Sequence, residues 1–396
     1  MSRANAQMTI LLPLKGRHLH TLRFMYHLNR VNFPYPLIIA DGEVHPAVAG
    51  LLEDRGTFPN LSYQFIRYPN DSTYSQFYRK MADANRRVQT PYVMLADNDD
   101  FPCAAGIERA VAFLEANPDY SSCGGRVAGF ELLSSVHSNL APQLTGPLAR
   151  LEVEYSSAYV PADFRQASAK ERCLCACQKP VITYYHVFRT EVLNTIHREL
   201  DELDFSDLTI HETYFILRSL TFGKTRADGR SVSYLRQHGT STAHDHKLDW
   251  ATHLLRSRFN DDFNAMLKKL LAEIPAAGGE DTSRIADEIL TAYAERLRRD
   301  LRGYYYTPHH YIVAAKRFLS PALKARHMVR TLPARMNSEG HARRLCARLL
   351  ARLETSGADG AYLQRFRTEL HEITRTLSGG AFTTFLRQSA PTLLSG

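Results

Sequence analysis

The sequence predicts an α/β protein: a mostly parallel sheet with helices on both faces, followed by an all-helical C-terminal region. Three observations carry this. Short, continuously apolar runs alternate with helical spacing over roughly the first 125 residues, a pattern expected of parallel strands covered on both faces. Polar residues follow three of those runs, at Lys15-Gly16-Arg17, Asp41-Gly42 and Asp97-Asn98-Asp99-Asp100. From Leu248 the spacing turns almost wholly helical. We therefore place an α/β domain at residues 1–247 and a helical, basic domain at 248–396.

The elements follow in order. Met8–Leu14 reads as a buried strand, and His20–Val31 as a helix whose Leu22, Met25, Tyr26 and Leu28 share a face. Pro36–Ala40 is a second short strand and Leu61–Arg67 an alternating third. Ser75–Arg87 is a helix with Phe77, Tyr78, Met81 and Ala84 inward, and Tyr92–Ala96 a fourth strand. Ala104–Ala116 is a helix, and a strand begins at Tyr120. Beyond it, Tyr184–Phe188 and Ser231–Leu235 are strand-like, while Glu191–Ile196 and Thr209–Leu220 are helical. Leu254–Leu271, Ser283–Arg302, Ala342–Glu354 and Ala361–Leu377 are the C-terminal helices.

Composition bounds the class. The chain has 396 residues, 44% hydrophobic and 23% charged, which excludes disorder, collagen and a global coiled coil. No stretch approaches the ~18 apolar residues of a membrane helix, so the expected location is cytoplasmic. The net charge of +8 belongs to the C-terminal third: 23 Lys/Arg stand against 14 Asp/Glu from Arg256 onward. The Cys173, Cys175, Cys177 series has one residue between cysteines, too close for an ordinary zinc site. We read it as alternation on one face of an extended segment.

The most informative segment is Asp97-Asn98-Asp99-Asp100. Carboxylates crowded at a strand's carboxyl end repel one another, and a hard divalent cation such as Mg²⁺ or Mn²⁺ relieves that repulsion and takes phosphates in turn. In open α/β sheets ligands bind beyond the carboxyl ends of the strands. Asp41 supplies a second acidic strand end. No Walker A loop, dinucleotide-binding glycine fingerprint, zinc-protease or serine-hydrolase motif occurs.

Met8–Leu14, then Leu37–Gly42, then an Arg/Lys-bearing helix, then Tyr92–Asp100 resembles the nucleotide-sugar half of a GT-A glycosyltransferase of the family 2 type, over roughly residues 8–240. The resemblance implies a metal-dependent enzyme that moves a sugar from a nucleoside diphosphate sugar to a hydroxyl acceptor, in surface polysaccharide or glycoconjugate synthesis. It implies that Asp41 accepts a hydrogen bond from the nucleobase and that Arg79 or Lys80 flanks the base or a phosphate. Asp97, with Asn98 beside it, would hold the ribose or a metal-bound water, and Asp99 would ligate the metal. Pro13, Leu14 and Arg17 would line the nucleotide. The sequence departs from the family pattern in Ala40-Asp41-Gly42-Glu43 and in Tyr78-Arg79-Lys80.

Inverting transfer needs a base for the acceptor hydroxyl. The position matching the family's base is Glu212, with Asp204 and Asp207 as nearby substitutes. A later histidine often completes the metal site in this family; His238 is the candidate ligand or phosphate contact, and His244 and His246 compete for the role. Arg236 would offset charge on the leaving diphosphate.

The basic C-terminal helices carry Arg296, Arg298, Arg299, Arg302, Lys316, Arg317, Lys324, Arg326 and Arg330, interleaved with Tyr304, Tyr305, Tyr306, Tyr311 and Phe318. Three partners are open for them: the inner face of a membrane bearing a lipid-linked acceptor, an anionic saccharide, or a second copy in a homodimer. Nucleic acid is not expected, because no binding motif accompanies the charge. Two rival readings are a sugar nucleotidyltransferase and a non-catalytic nucleotide-sugar-binding module.

Overall fold

The computed structural model describes residues 7–43, 45–133, 144–153, 163–178, 183–238, 257–274, 281–301 and 337–394. His244, His246 and the basic and aromatic residues from Arg302 to Arg330 lie outside the described residues. No described helix is long and apolar enough to cross a membrane.

The first half is β1 (Met8–Leu14), α1 (His18–Arg30), β2 (Leu37–Asp41), α2 (Pro46–Glu53), β3 (Tyr63–Arg67), α3 (Tyr74–Arg86) and β4 (Tyr92–Leu95). These four strands pair in parallel in the order β3-β2-β1-β4, as strand–helix alternation requires. Their apolar runs serve two cores at once. Met8, Ile10, Leu12 and Leu14 of β1 face one cluster and Leu11 the other, so every second residue meets a different layer of helices. On one face lie α1, α2 and α4 (Ala104–Ala116); on the other lie α3, α5 (Ala169–Gln178), α6 (Thr190–Leu203) and α7 (Leu208–Phe222).

Beyond β4 the sheet is mixed. β8 (Val187–Arg189) runs antiparallel between β4 and β6 (Tyr120–Leu132), and β9 (Lys224–Gln237) lies parallel to β6. β5 (Phe101–Pro102) pairs antiparallel with the end of β9, and β7 (Leu148–Val153) with the end of β6. β5 thus carries the chain straight from the acidic loop onto β9. Gly106 makes this junction close: a Cβ there would stand 2.0 Å from the Val232 carbonyl oxygen.

The described C-terminal residues are all helical. α8 (Ser257–Ala272) and α9 (Thr282–Leu301) extend the core against α7 and α5. α10 (Ser338–Thr355) and α11 (Gly360–Leu377) cover β5, β6, β7 and β9, and α12 (Gly380–Ser389) joins the α1 face.

One expectation is corrected. Cys173, Cys175 and Cys177 sit on helix α5, not on an extended segment. Apart from the three cysteines, the segment is built of Ala, Lys, Glu, Arg, Leu and Gln, all strong helix formers. Cys173 and Cys177, four residues apart, share its buried face, while Cys175 is half-buried.

Candidate active site

β4 runs out at Leu95, and Asp97–Asp100 turn across the end of β1 before β5 begins. Asp99 and Asp100 are buried and Asp97 half-buried, and one carboxylate oxygen from each of the three lies within 4.8 Å of the others. Protein donors hold this crowd in place. Tyr185 donates to Asp97 Oδ2 at 3.0 Å and reaches Asp100 Oδ2 at 3.5 Å, and Tyr184 donates to Asp97 Oδ1 at 3.4 Å. The Gln237 amide donates to Asp100 Oδ1 at 2.7 Å. Tyr234, stacked 4.2 Å from Tyr185, accepts from the Asp97 amide at 2.6 Å. Burial first, and then the charge of Asp99, raises the pKa of Asp97 to about 6. The same two causes hold Asp100 well above the usual carboxylate range.

Positive charge enters from three arginines. Arg17, at the N-cap of α1 with φ 52°, donates to Asp99 Oδ2 at 2.5 Å. Arg236, half-buried on β9, lowers the pKa of both Asp97 and Asp100 by its charge. Arg23 is wholly buried and donates to the Asp99 carbonyl at 2.5 Å. Burial lowers its pKa to about 10, against the opposing pull of Asp99 and Asp100. These donor atoms suit a hard divalent cation: three clustered carboxylates offer oxygen ligands, and two of them have pKa values raised by burial and mutual repulsion.

A second acidic group closes β2. Asp41 is 2% exposed, accepts from the Glu43 amide at 3.0 Å and stands 4.0 Å from Arg67. Burial raises its pKa to about 6. Asp41 is in register with Leu14, so β1 alone separates it from the Asp97–Asp100 loop, roughly 10 Å across two strand spacings.

The remaining sequence-predicted residues divide. Lys80 is buried in this corner, but its ammonium is spent inside the protein: it pairs with Asp71 and donates to the Leu14 carbonyl at 3.1 Å. Leu14 is therefore buried with its carbonyl engaged, while Pro13 is half-buried beside it. Arg79 does not join the site. One residue along the helix turns it some 100° away, and it lies 71% exposed opposite Asp201. Asn98 turns away from the carboxylates and donates to Thr21 at 2.9 Å, tying the loop to α1. His238 is not one of the three clustered groups: its amide bonds Phe130, and the charges of Glu131, Arg236, Arg150 and Glu152 act on it.

Glu212 is exposed on the first turns of α7. Burial and then the charge of Glu212 push the Tyr78 phenol up, and Tyr184 in turn feels both Asp97 and Tyr78. Tyr78 stacks on His211, the neighbour of Glu212, with ring centres 4.1 Å apart, and Tyr184 bonds Asp97. Asp207 is buried and caps α7 at 2.8 Å from the Thr209 amide, and Asp204 is the C-cap of α6 with φ 49°.

Sequence reasoning missed Arg23, Asp71, Tyr184, Tyr185 and Tyr234. Arg23 and His27 stand four apart on α1 among the apolar Leu22, Phe24, Met25 and Leu28, a signal of a buried polar line. Nothing local marks Asp71, which meets Lys80 through the close approach at Gly42, where a Cβ would lie 2.1 Å from the Asp71 carboxylate.

No family model and no curated protein matches the sequence. Among solved structures, S. aureus TarS aligns with a TM-score of 0.47 at 12% identity, over 92% of this chain and 55% of that one. The chain thus spans about half the length of that structure. S. aureus TarS 1-349 in complex with UDP-GlcNAc aligns with a TM-score of 0.46 at 11% identity, over 93% and 92% of the two chains. Mannosyltransferase PcManGT from Pyrobaculum calidifontis in complex with GDP-Man and Mn²⁺ aligns with a TM-score of 0.38 at 12% identity, over 85% and 89%.

Proposed function

We propose that this chain is a metal-dependent, inverting glycosyltransferase that moves a sugar from a nucleoside diphosphate sugar to a hydroxyl acceptor. The observation that carries the reading is the cluster of three buried or half-buried carboxylates beyond β4, flanked by Arg17 and Arg236. Acidic groups that only decorate a surface do not gather behind tyrosines and arginines at the ligand-binding end of a parallel sheet.

In this reading Asp41 accepts from the nucleobase, and the diphosphate lies over β1 toward Asp99. A cation held by Asp97, Asp99 and Asp100 would supply Lewis-acid stabilisation of diphosphate charge. Arg17 and Arg236 orient the diphosphate and offset its charge. The acceptor hydroxyl attacks the anomeric carbon and gives its proton to Glu212. The bond from that carbon to the diphosphate oxygen breaks, and its electron pair leaves with the nucleoside diphosphate. Glu212 suits the role because it is an exposed carboxylate near the start of α7, next to the buried His211 on which Tyr78 stacks.

A thermal-shift screen of nucleoside diphosphates with Mn²⁺ tests the reading, since a ligand of the native state raises apparent stability. One nucleotide should shift the melt only with the metal present, and Asp99→Ala should abolish that shift. Slow hydrolysis of the matching nucleotide sugar to free sugar and nucleoside diphosphate should accompany it; pyrophosphate release would instead mark a nucleotidyltransferase. A folded chain that takes up no nucleotide with or without Mn²⁺ refutes the proposal.

A further inference from the structure

We infer that Arg23 is a positioning residue for the acidic loop, and that the C-terminal helix α11 acts on that loop through it. The metal-related part of the inference rests on the reading of the loop given above. Arg23 is 0% exposed, and a guanidinium taken wholly out of water is costly unless its donors find acceptors. Its two terminal nitrogens find them on three segments far apart in the chain: the Leu144 carbonyl at 2.8 Å, the Asp99 carbonyl at 2.5 Å and Gln237 Oε1 at 2.8 Å; its Nε–H has no partner among the described residues. The guanidinium also lies over the Phe101 ring, 5.0 Å from its centre.

Two of these contacts bear on the carboxylates. Arg23 fixes the backbone of Asp99 directly. It fixes Gln237 by the side chain, and the Gln237 amide in turn holds Asp100 Oδ1 at 2.7 Å. The third contact leads the other way. The stretch Leu144–Gly146 is gripped by α11: the Gly146 amide donates to the Leu377 carbonyl at 2.9 Å. Thr145 packs against Gly379, where φ is 87° and a Cβ would stand 2.8 Å from the threonine. One turn beyond Arg23 on α1, His27 meets Thr376 Oγ1 at 3.0 Å and sets its ring edge-on to Phe101 at 4.8 Å. Arg30 on the next turn pairs with Glu372. The last turns of α11 therefore hold both supports of Arg23, the α1 helix and the Leu144 segment.

The test compares the full wild-type chain with Arg23→Lys, Gln237→Leu and Thr376→Val by hydrogen exchange across Asp97–Asp100 and by titration with Mn²⁺ alone, read by electron paramagnetic resonance. Arg23→Lys keeps the charge but cannot span three acceptors. We expect exchange in the loop to rise about tenfold and the Mn²⁺ dissociation constant to rise about tenfold, as for other supports of metal ligands. Gln237→Leu should do the same more weakly, and it carries the test if Arg23→Lys does not fold. Thr376→Val, distant from the loop, should still raise loop exchange about threefold. Unchanged loop exchange in folded Arg23→Lys or Gln237→Leu overturns the positioning role, and unchanged exchange in Thr376→Val overturns the link to α11. Faster loop exchange with an unaltered Mn²⁺ affinity overturns the connection to the metal. A wild-type chain that takes up no Mn²⁺ removes the metal reading itself, while the exchange measurements still decide whether Arg23 and α11 hold the loop.

Discussion

Replacing Lys80 with methionine separates a structural ion pair from a donor contact. The Lys80 and Asp71 side chains are 1% and 2% exposed, and the pair sits beside Asp41, whose pKa is raised in part by the Asp71 charge. Methionine fills the volume but removes the ammonium from Asp71 and from the Leu14 carbonyl. Asp71 is then a buried carboxylate without its cation and with a like charge nearby. Breaking one side of such a pair costs about 3–5 kcal/mol. At about 2.1 cal/mol/K per residue, the unfolding entropy of a chain this size is on the order of 0.8 kcal/mol/K, so melting should fall by about 4–6 °C. The assay is calorimetry on the wild type, Lys80→Met, Asp71→Asn and the double variant. Removing both charges relieves the penalty, so the double variant should melt above Lys80→Met, with a coupling of about 1–3 kcal/mol in the cycle. A Lys80→Met protein that melts within 1 °C of wild type while losing nucleotide affinity would refute the argument, and would return Lys80 to the donor site.

Four further outcomes follow from the structure. Glu369 on α11 accepts from the Ala105 amide at 2.8 Å, and burial raises its pKa to about 7. The folded chain therefore holds this proton where the unfolded chain has lost it, so the associated stability is complete below about pH 4.5 and disappears as pH rises through 7. At about 1.4 kcal/mol per pH unit the loss is on the order of 3 kcal/mol, and Glu369→Gln should flatten the fall in melting temperature between pH 5 and 8. Arg79→Ala should change stability by less than about 0.5 kcal/mol and leave nucleotide affinity unaltered, because its ion pair with Asp201 lies at the surface; a tenfold weaker nucleotide complex would restore it to the site. Asp99→Ala should remove Mn²⁺-dependent nucleotide binding, measured by calorimetric titration, with the fold intact by circular dichroism. Glu212→Gln should leave donor binding within about twofold and lower transfer by about 10²-fold or more, checked by single-turnover kinetics; unreduced transfer would remove it as the base.

The parallel half of the sheet was readable because continuous apolar runs and helical spacing are local properties, and a strand flanked by crossover helices has few topologies open to it. The antiparallel insertion of β8 between β4 and β6 was not, since three residues, Val187–Arg189, carry no signal of direction. The α5 cysteines were misread because spacing of two fits a strand, whereas the helix-forming residues around them decide the outcome. Arg79 and Lys80 were indistinguishable as neighbours in sequence, yet one helical step sends the first to solvent and the second into the core.

By itself the sequence determined that three carboxylates stand at the end of the fourth strand and one at the end of the second, because strand ends and turn residues are written locally. Only the tertiary structure decided what surrounds them. Arg23 meets Gln237 across 214 residues, and Tyr234 meets Asp97 across 137. Such contacts follow from how the chain crosses itself, and periodicity, which reports only on near neighbours along the chain, has no access to them.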